Sequence, residues 1–98
     1  MKYTFHPEAR KEVKEATHHY KDIDSRLGIL FREEIDKAIS NAMNHPEAWQ
    51  EIAPGVRRCL TNRFPYSVLY NYREKEEAIF IVAVMNNHRK PGYWKQRR

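Results

Sequence analysis

Residues 78–98 carry five basic side chains and no acidic one, whereas residues 1–77 carry 13 Lys and Arg against 13 Asp and Glu. The formal net charge of +5 therefore rests on Arg89, Lys90, Lys95, Arg97 and Arg98. This cluster follows the most apolar run of the chain, Ala78-Ile-Phe-Ile-Val-Ala-Val-Met85. Cations at the end of a core strand are rigidly supported and give a local positive potential that attracts polyanions or an acidic partner. The competing reading is a solvated charged face that keeps a small protein soluble. His88 is the one imidazole beside the cluster, where it can serve as a general acid or base. Arg57, Arg58 and Arg63 are further cations near predicted strand ends. Arg57 and Arg58 have a structural alternative, pairing with Glu47, Glu51 or the Glu74–Glu77 turn, and Arg63 has one as a turn anchor.

Other chemistries find little support. Cys59 alternates with Arg58, is expected to point into the core, and has no activating base nearby in sequence. His18 and His19 diverge by about 100° on a helix, and His6, His45 and His88 lie in separate segments, so no spacing matches a zinc site. Three dispersed glycines make no phosphate-binding loop. No metal and no cofactor are expected.

The elements that position these groups follow from periodicity. Lys2 to Phe5 reads as a short strand, and Pro7 suits the first turn of a helix. Ala9, Val13, Ala16 and Tyr20 form its apolar face, with Arg10, Lys11, Glu12, Lys14 and Glu15 opposite. Lys21 to Ser25 is a polar break in which Asp24 or Ser25 caps a second helix. That helix runs from Leu27 to near Asn44, where Pro46 ends it. Pro54-Gly55 opens a strand over Val56 to Thr61. Phe64 to Tyr72 reads as a strand with Tyr66, Val68, Tyr70 and Tyr72 on one side, as packing residues. Residues 73–77 form a charged hairpin turn. Ala78 to Met85 is apolar at both parities and must be covered on both faces. Pro91 to Arg97 is expected to form a short final helix, with Tyr93 and Trp94 closing the sheet edge against the helices. The order β-α-α-β-β-β predicts an α+β fold, a helix hairpin on an antiparallel-rich sheet.

Ninety-eight residues make a single domain, 1–98. No apolar stretch approaches membrane-spanning length. Residues 1–7 lack the apolar stretch of a signal peptide, and a lone cysteine agrees with a reducing compartment, so a cytoplasmic protein is expected.

Four segments carry a resemblance: Phe5-His-Pro-Glu-Ala-Arg-Lys-Glu12, Pro54-Gly-Val-Arg-Arg-Cys-Leu60, Arg63-Phe-Pro-Tyr-Ser-Val-Leu-Tyr70, and Val82-Ala-Val-Met-Asn-Asn-His-Arg-Lys-Pro-Gly-Tyr-Trp94. Together they resemble the RelE/ParE superfamily of toxins from type II toxin–antitoxin and plasmid stabilisation systems. The resemblance spans nearly the whole chain and implies a growth-arresting toxin neutralised in a hetero-oligomer by a cognate antitoxin, whose C-terminal segment folds onto the helix hairpin and the sheet. It leaves two targets. ParE-like members poison DNA gyrase; RelE-like members cleave messenger RNA on the ribosome, using Lys, Arg and Tyr.

Carried over by position, the nuclease set is incomplete. Arg58 and Tyr93 match, and Arg89 can substitute for an arginine expected at Asn87. Leu60, Ser67 and Asn87 stand where cations are expected. Each missing phosphate-stabilising group costs on the order of 100-fold in rate. The pattern leans toward a gyrase poison; a ribosome-dependent endoribonuclease using Arg58, Arg89 and Tyr93, and a non-toxic binding relative, are the alternatives. Target or nucleic-acid contact is expected from Arg63, His88, Arg89, Lys90, Lys95 and Arg97.

Overall fold

The computed structural model describes residues 1–97; Arg98, the last cation of the basic cluster, lies outside the described residues. Strand β1 (Lys2–Phe5) leads into helix α1 (Pro7–Ile23) and helix α2 (Ser25–Asn44). Strands β2 (Gln50–Ala53), β3 (Val56–Leu60), β4 (Tyr66–Arg73) and β5 (Ala78–Asn86) follow. The sheet order is β1-β5-β4-β3-β2; β1 runs parallel to β5 and the other neighbours are antiparallel. The expected α+β fold is present, with one strand more than the sequence reading gave.

Local chemistry sets the helix ends. His6 Nδ1 accepts the Glu8 amide at 3.0 Å, and Pro7 occupies the first helical turn. Helix α1 continues through residues 21–23, so the break between helices is one residue, not five. Asp24 makes that break work from both sides. Its own N–H closes α1 on the Tyr20 carbonyl at 3.0 Å, and its carboxylate accepts the Arg26 amide at 2.8 Å to open α2. The side-chain and backbone bonds from Arg26 hold the Asp24 carboxyl below its ordinary pKa.

Both helices pack on one face of the sheet. Ala9, Val13 and Ala16 of α1 and Phe31, Ile35, Ala38, Ile39 and Ala42 of α2 are buried there. They meet Cys59, Val68, Tyr70, Ile79, Ile81 and Val84. The opposite face carries Val56, Leu69, Val82, Ala83 and Met85, covered by Trp94. Two apolar faces explain why β5 is apolar at both parities. A bulge completes the account: Leu69 pairs with Ala83 but Tyr70 pairs with Ile81, so Val82 is the inserted residue. Parity shifts there, which lets Ile79, Ile81 and Val84 face the helices while Val82 and Ala83 both face away.

Two further differences concern the ends of elements. The segment after β5 is not an α-helix: it turns at residues 91–94 and closes as a 3-10 turn over Lys95–Arg97. Trp94 packs on the face away from the helices rather than against them. Strand β2 lacks apolar alternation and exists by pairing with β3, Gln50 opposite Arg58 and Glu51 opposite Arg57.

Gly28 of α2 lies directly against Lys21 of α1, where an added Cβ would be 3.0 Å from Lys21 Cβ and 3.2 Å from its Cα. Backbone cannot yield as a side-chain tip does. Gly28→Val is expected to cost about 1–3 kcal/mol, read as a lower urea midpoint with an unchanged slope.

Candidate functional site

The register decides which side chains share a face. Arg58 pairs with Leu69, and Leu60 with Ser67, which pairs in turn with Met85. Residues directly opposite in an antiparallel pair point the same way. Arg58, Leu60, Ser67 and Met85 therefore lie on the face away from the helices. Asn87 joins them, since its side-chain oxygen accepts the Ser67 hydroxyl at 2.6 Å and its N–H donates to the Pro65 carbonyl at 2.7 Å.

A cleft of about 530 Å³ opens on this face. Its walls include Arg58 from β3, Asn87 and Arg89 after β5, and Lys95 from the final turn, above an apolar floor of Met85 and Trp94. Arg58 has no side-chain hydrogen bond or ion pair among the described residues, so its charge is available to a ligand. Arg57, one residue away, faces the helix side and donates to the carbonyls of Trp49 at 2.7 Å and Glu47 at 3.1 Å. It is a structural cation, bound to main chain rather than to the carboxylates expected.

Glu12 is the site residue that sequence reasoning missed. It was placed on the polar face of α1, yet its side chain is only 12% exposed. One carboxylate oxygen accepts the Val84 amide at 3.0 Å and Arg97 Nη1 at 2.9 Å; the other accepts the Tyr93 hydroxyl at 2.7 Å. Arg89 Nη1 lies 3.6 Å from that second oxygen. The Arg89 guanidinium also stacks on the Tyr93 ring, 3.8 Å from its centroid, with Arg97 at 5.0 Å. The signal was present in the spacing: Glu12 lies three residues after buried Ala9 and four before buried Ala16, within the apolar stripe.

The Val84 amide needs this acceptor because β1 ends at Phe5, opposite Ile81, and leaves β5 unpaired beyond it. Arg97 also reaches the Val82 carbonyl at 3.4 Å. Glu12 and Arg97 thus take the place of a neighbouring strand along that edge.

The predicted residues divide accordingly. Arg58, Arg89 and Lys95 are brought together around the cleft. Tyr93 and Arg97 are bound to Glu12. Lys90 and His88 are exposed on the loop after β5, and the His88 amide donates to Asn86 Oδ1 at 2.9 Å. Arg63 is exposed in the β3–β4 loop, at the same end of the sheet, on a backbone held at φ 71°. Burial, followed by the hydrogen bond to Glu12 and its negative charge, pushes the Tyr93 phenol well above its ordinary pKa; Arg89 and Arg97 oppose this. Cys59 is fully buried beside the Ala38 carbonyl, and burial raises its thiol to about 11. Among the described residues no group of three His, Cys, Asp or Glu side chains is arranged to hold a metal, and no helix is long and apolar enough to cross a membrane.

The family model described as ParE toxin of type II toxin-antitoxin system, parDE, matches residues 3–91. No curated protein shows significant similarity to the chain.

Two solution measurements follow from this geometry. A thiol raised to about 11 and shielded from solvent is expected to stay unmodified by a thiol reagent at pH 8 in the native protein and to react at once in denaturant. The second is the alkaline limb of stability. The folded pKa values of Tyr93 and Tyr70, the latter about 12, are raised, so the folded state holds protons that the unfolded chain releases. Their contribution is full below the unfolded value and is lost as pH rises through the folded ones. The urea midpoint is expected to fall above about pH 10, less steeply in Tyr93→Phe.

Proposed function

From the premise that this chain belongs to the ParE toxin family of type II toxin–antitoxin systems, whose members act with a cognate antitoxin, we propose that it acts on DNA gyrase rather than by cutting messenger RNA. One observation carries the reading. The register brings positions 58, 60, 67 and 87 onto one face, where a RelE-like nuclease would gather its cations around a phosphate. Three of the four are neutral here. Ser67 is fully buried and bonded to Asn87, so neither position offers a cation, and Leu60 is exposed and apolar.

The proton-transfer side supports the same reading. A transesterification at a 2′-hydroxyl needs a base, cations at the phosphate and an acid for the leaving oxygen. Tyr93 donates its hydroxyl proton to Glu12, and its raised pKa makes it a weaker acid. Arg58, Arg89 and Lys95, with Arg63 and Lys90 nearby, retain enough charge to hold an acidic protein surface without the arrangement that phosphoryl chemistry requires. The same basic end suits acidic residues of an antitoxin segment, and a toxin–antitoxin hetero-oligomer is the resting form that this reading implies.

The test is a pulse-label after inducing the chain alone in a bacterium, following DNA and protein synthesis separately. DNA synthesis is expected to fall first, and purified protein is expected to trap gyrase on cleaved DNA. Arg58→Ala is expected to weaken both effects about tenfold or more, the loss of one charged contact. Early loss of protein synthesis with cut messages would instead select the ribosome as target.

A further inference from the structure

Glu12 joins three parts of the chain that are remote in sequence. Its partners Val84, Tyr93 and Arg97 lie 72, 81 and 85 residues away. Two of them belong to the segment after β5, which also supplies Arg89 and Lys95 to the cleft. Arg97 is itself mostly buried, with 14% of its side chain exposed, so water cannot take the place of its carboxylate partner at no cost. Without a carboxylate here, Arg89 and Arg97 would both lie against the Tyr93 ring with no counter-charge between them, and with Lys95 close in sequence. Like charges at that spacing repel, and the Val84 amide would lose its acceptor.

We propose that Glu12 is a positioning residue for the target-binding wall: from helix α1 it fixes residues 89–97 in the conformation that forms the cleft, without itself touching the target. This rests on the reading of the basic cleft as the surface that meets the target. The helix hairpin and the sheet face beneath it do not depend on it, since that core is built from other residues. Opening is therefore expected to be local, confined to the segment after β5 and to the end of β5 that Glu12 caps.

The experiment compares the full chain with Glu12→Gln and Glu12→Ala by hydrogen exchange and by growth arrest on induction. Glu12→Gln keeps an acceptor but drops the charge opposite Arg97 and Arg89. Exchange of amides 93–97 is expected to rise by about tenfold in Glu12→Gln and more in Glu12→Ala, with α2 and β4 unchanged. Growth arrest is expected to weaken in the same order.

Unchanged exchange with full toxicity overturns the proposal. Unchanged exchange with lost toxicity also overturns it, because Glu12 would then be contacting the target directly. If Glu12→Ala does not fold, Tyr93→Phe removes a single bond of the cluster and is expected to raise exchange at residues 93–97 alone; no rise there overturns the proposal. A wild-type chain that arrests nothing would sink the functional reading instead, while exchange still reports on the positioning.

Discussion

The structure depends most on the two-sided burial of β5. Its nine residues offer apolar side chains to both faces, and each face must be covered or the strand cannot sit in water. The helix hairpin covers one face through the stripe of Ala9, Val13, Ala16, Phe31, Ile35, Ala38, Ile39 and Ala42. The other face is covered by Trp94, which folds the last segment back over Val56, Leu69, Val82, Ala83 and Met85. The position of the basic cluster follows. The cations are carried onto the second face because Trp94 is needed there, and the cleft forms between that returning segment and β3.

Electrostatics then sorts cations that look alike in sequence. Arg57 and Arg58 are adjacent, yet the pleat sends one to the Trp49 and Glu47 carbonyls and leaves the other facing the cleft. Arg97 and Arg89 both approach Glu12, but at 2.9 Å and 3.6 Å, and with Arg97 far more buried. One is an internal strut; the other is half in solvent and borders the cleft. The separation of structural from available charge is a matter of register and burial, which composition does not report.

Much of this was legible beforehand. The helical stripes, the Pro7 entry and Pro46 exit, the double parity of β5 and the inward Cys59 all follow from spacing. Two features are non-local. Gln50 to Ala53 has no alternation and becomes a strand only by lying against β3. The bulge at Val82 appears only when β4 and β5 are paired. The charge of Glu12 points to the polar face of α1, but its offsets from Ala9 and Ala16 put it beside the buried one. Trp94 lies across the sheet from the helices because the last segment returns over that face as a turn rather than continuing as a helix.

Strand β1 has one neighbour, and that neighbour is β5. Residues 2–5 pair in parallel with residues 78–81, so this one pairing joins segments separated by the whole helix hairpin and three strands. A parallel pairing across such a span closes slowly and only once both strands are free. Until β5 takes its place, β1 has no partner and the helix hairpin has no central strand to cover, so the late-forming strand closes the first edge and the core in one step.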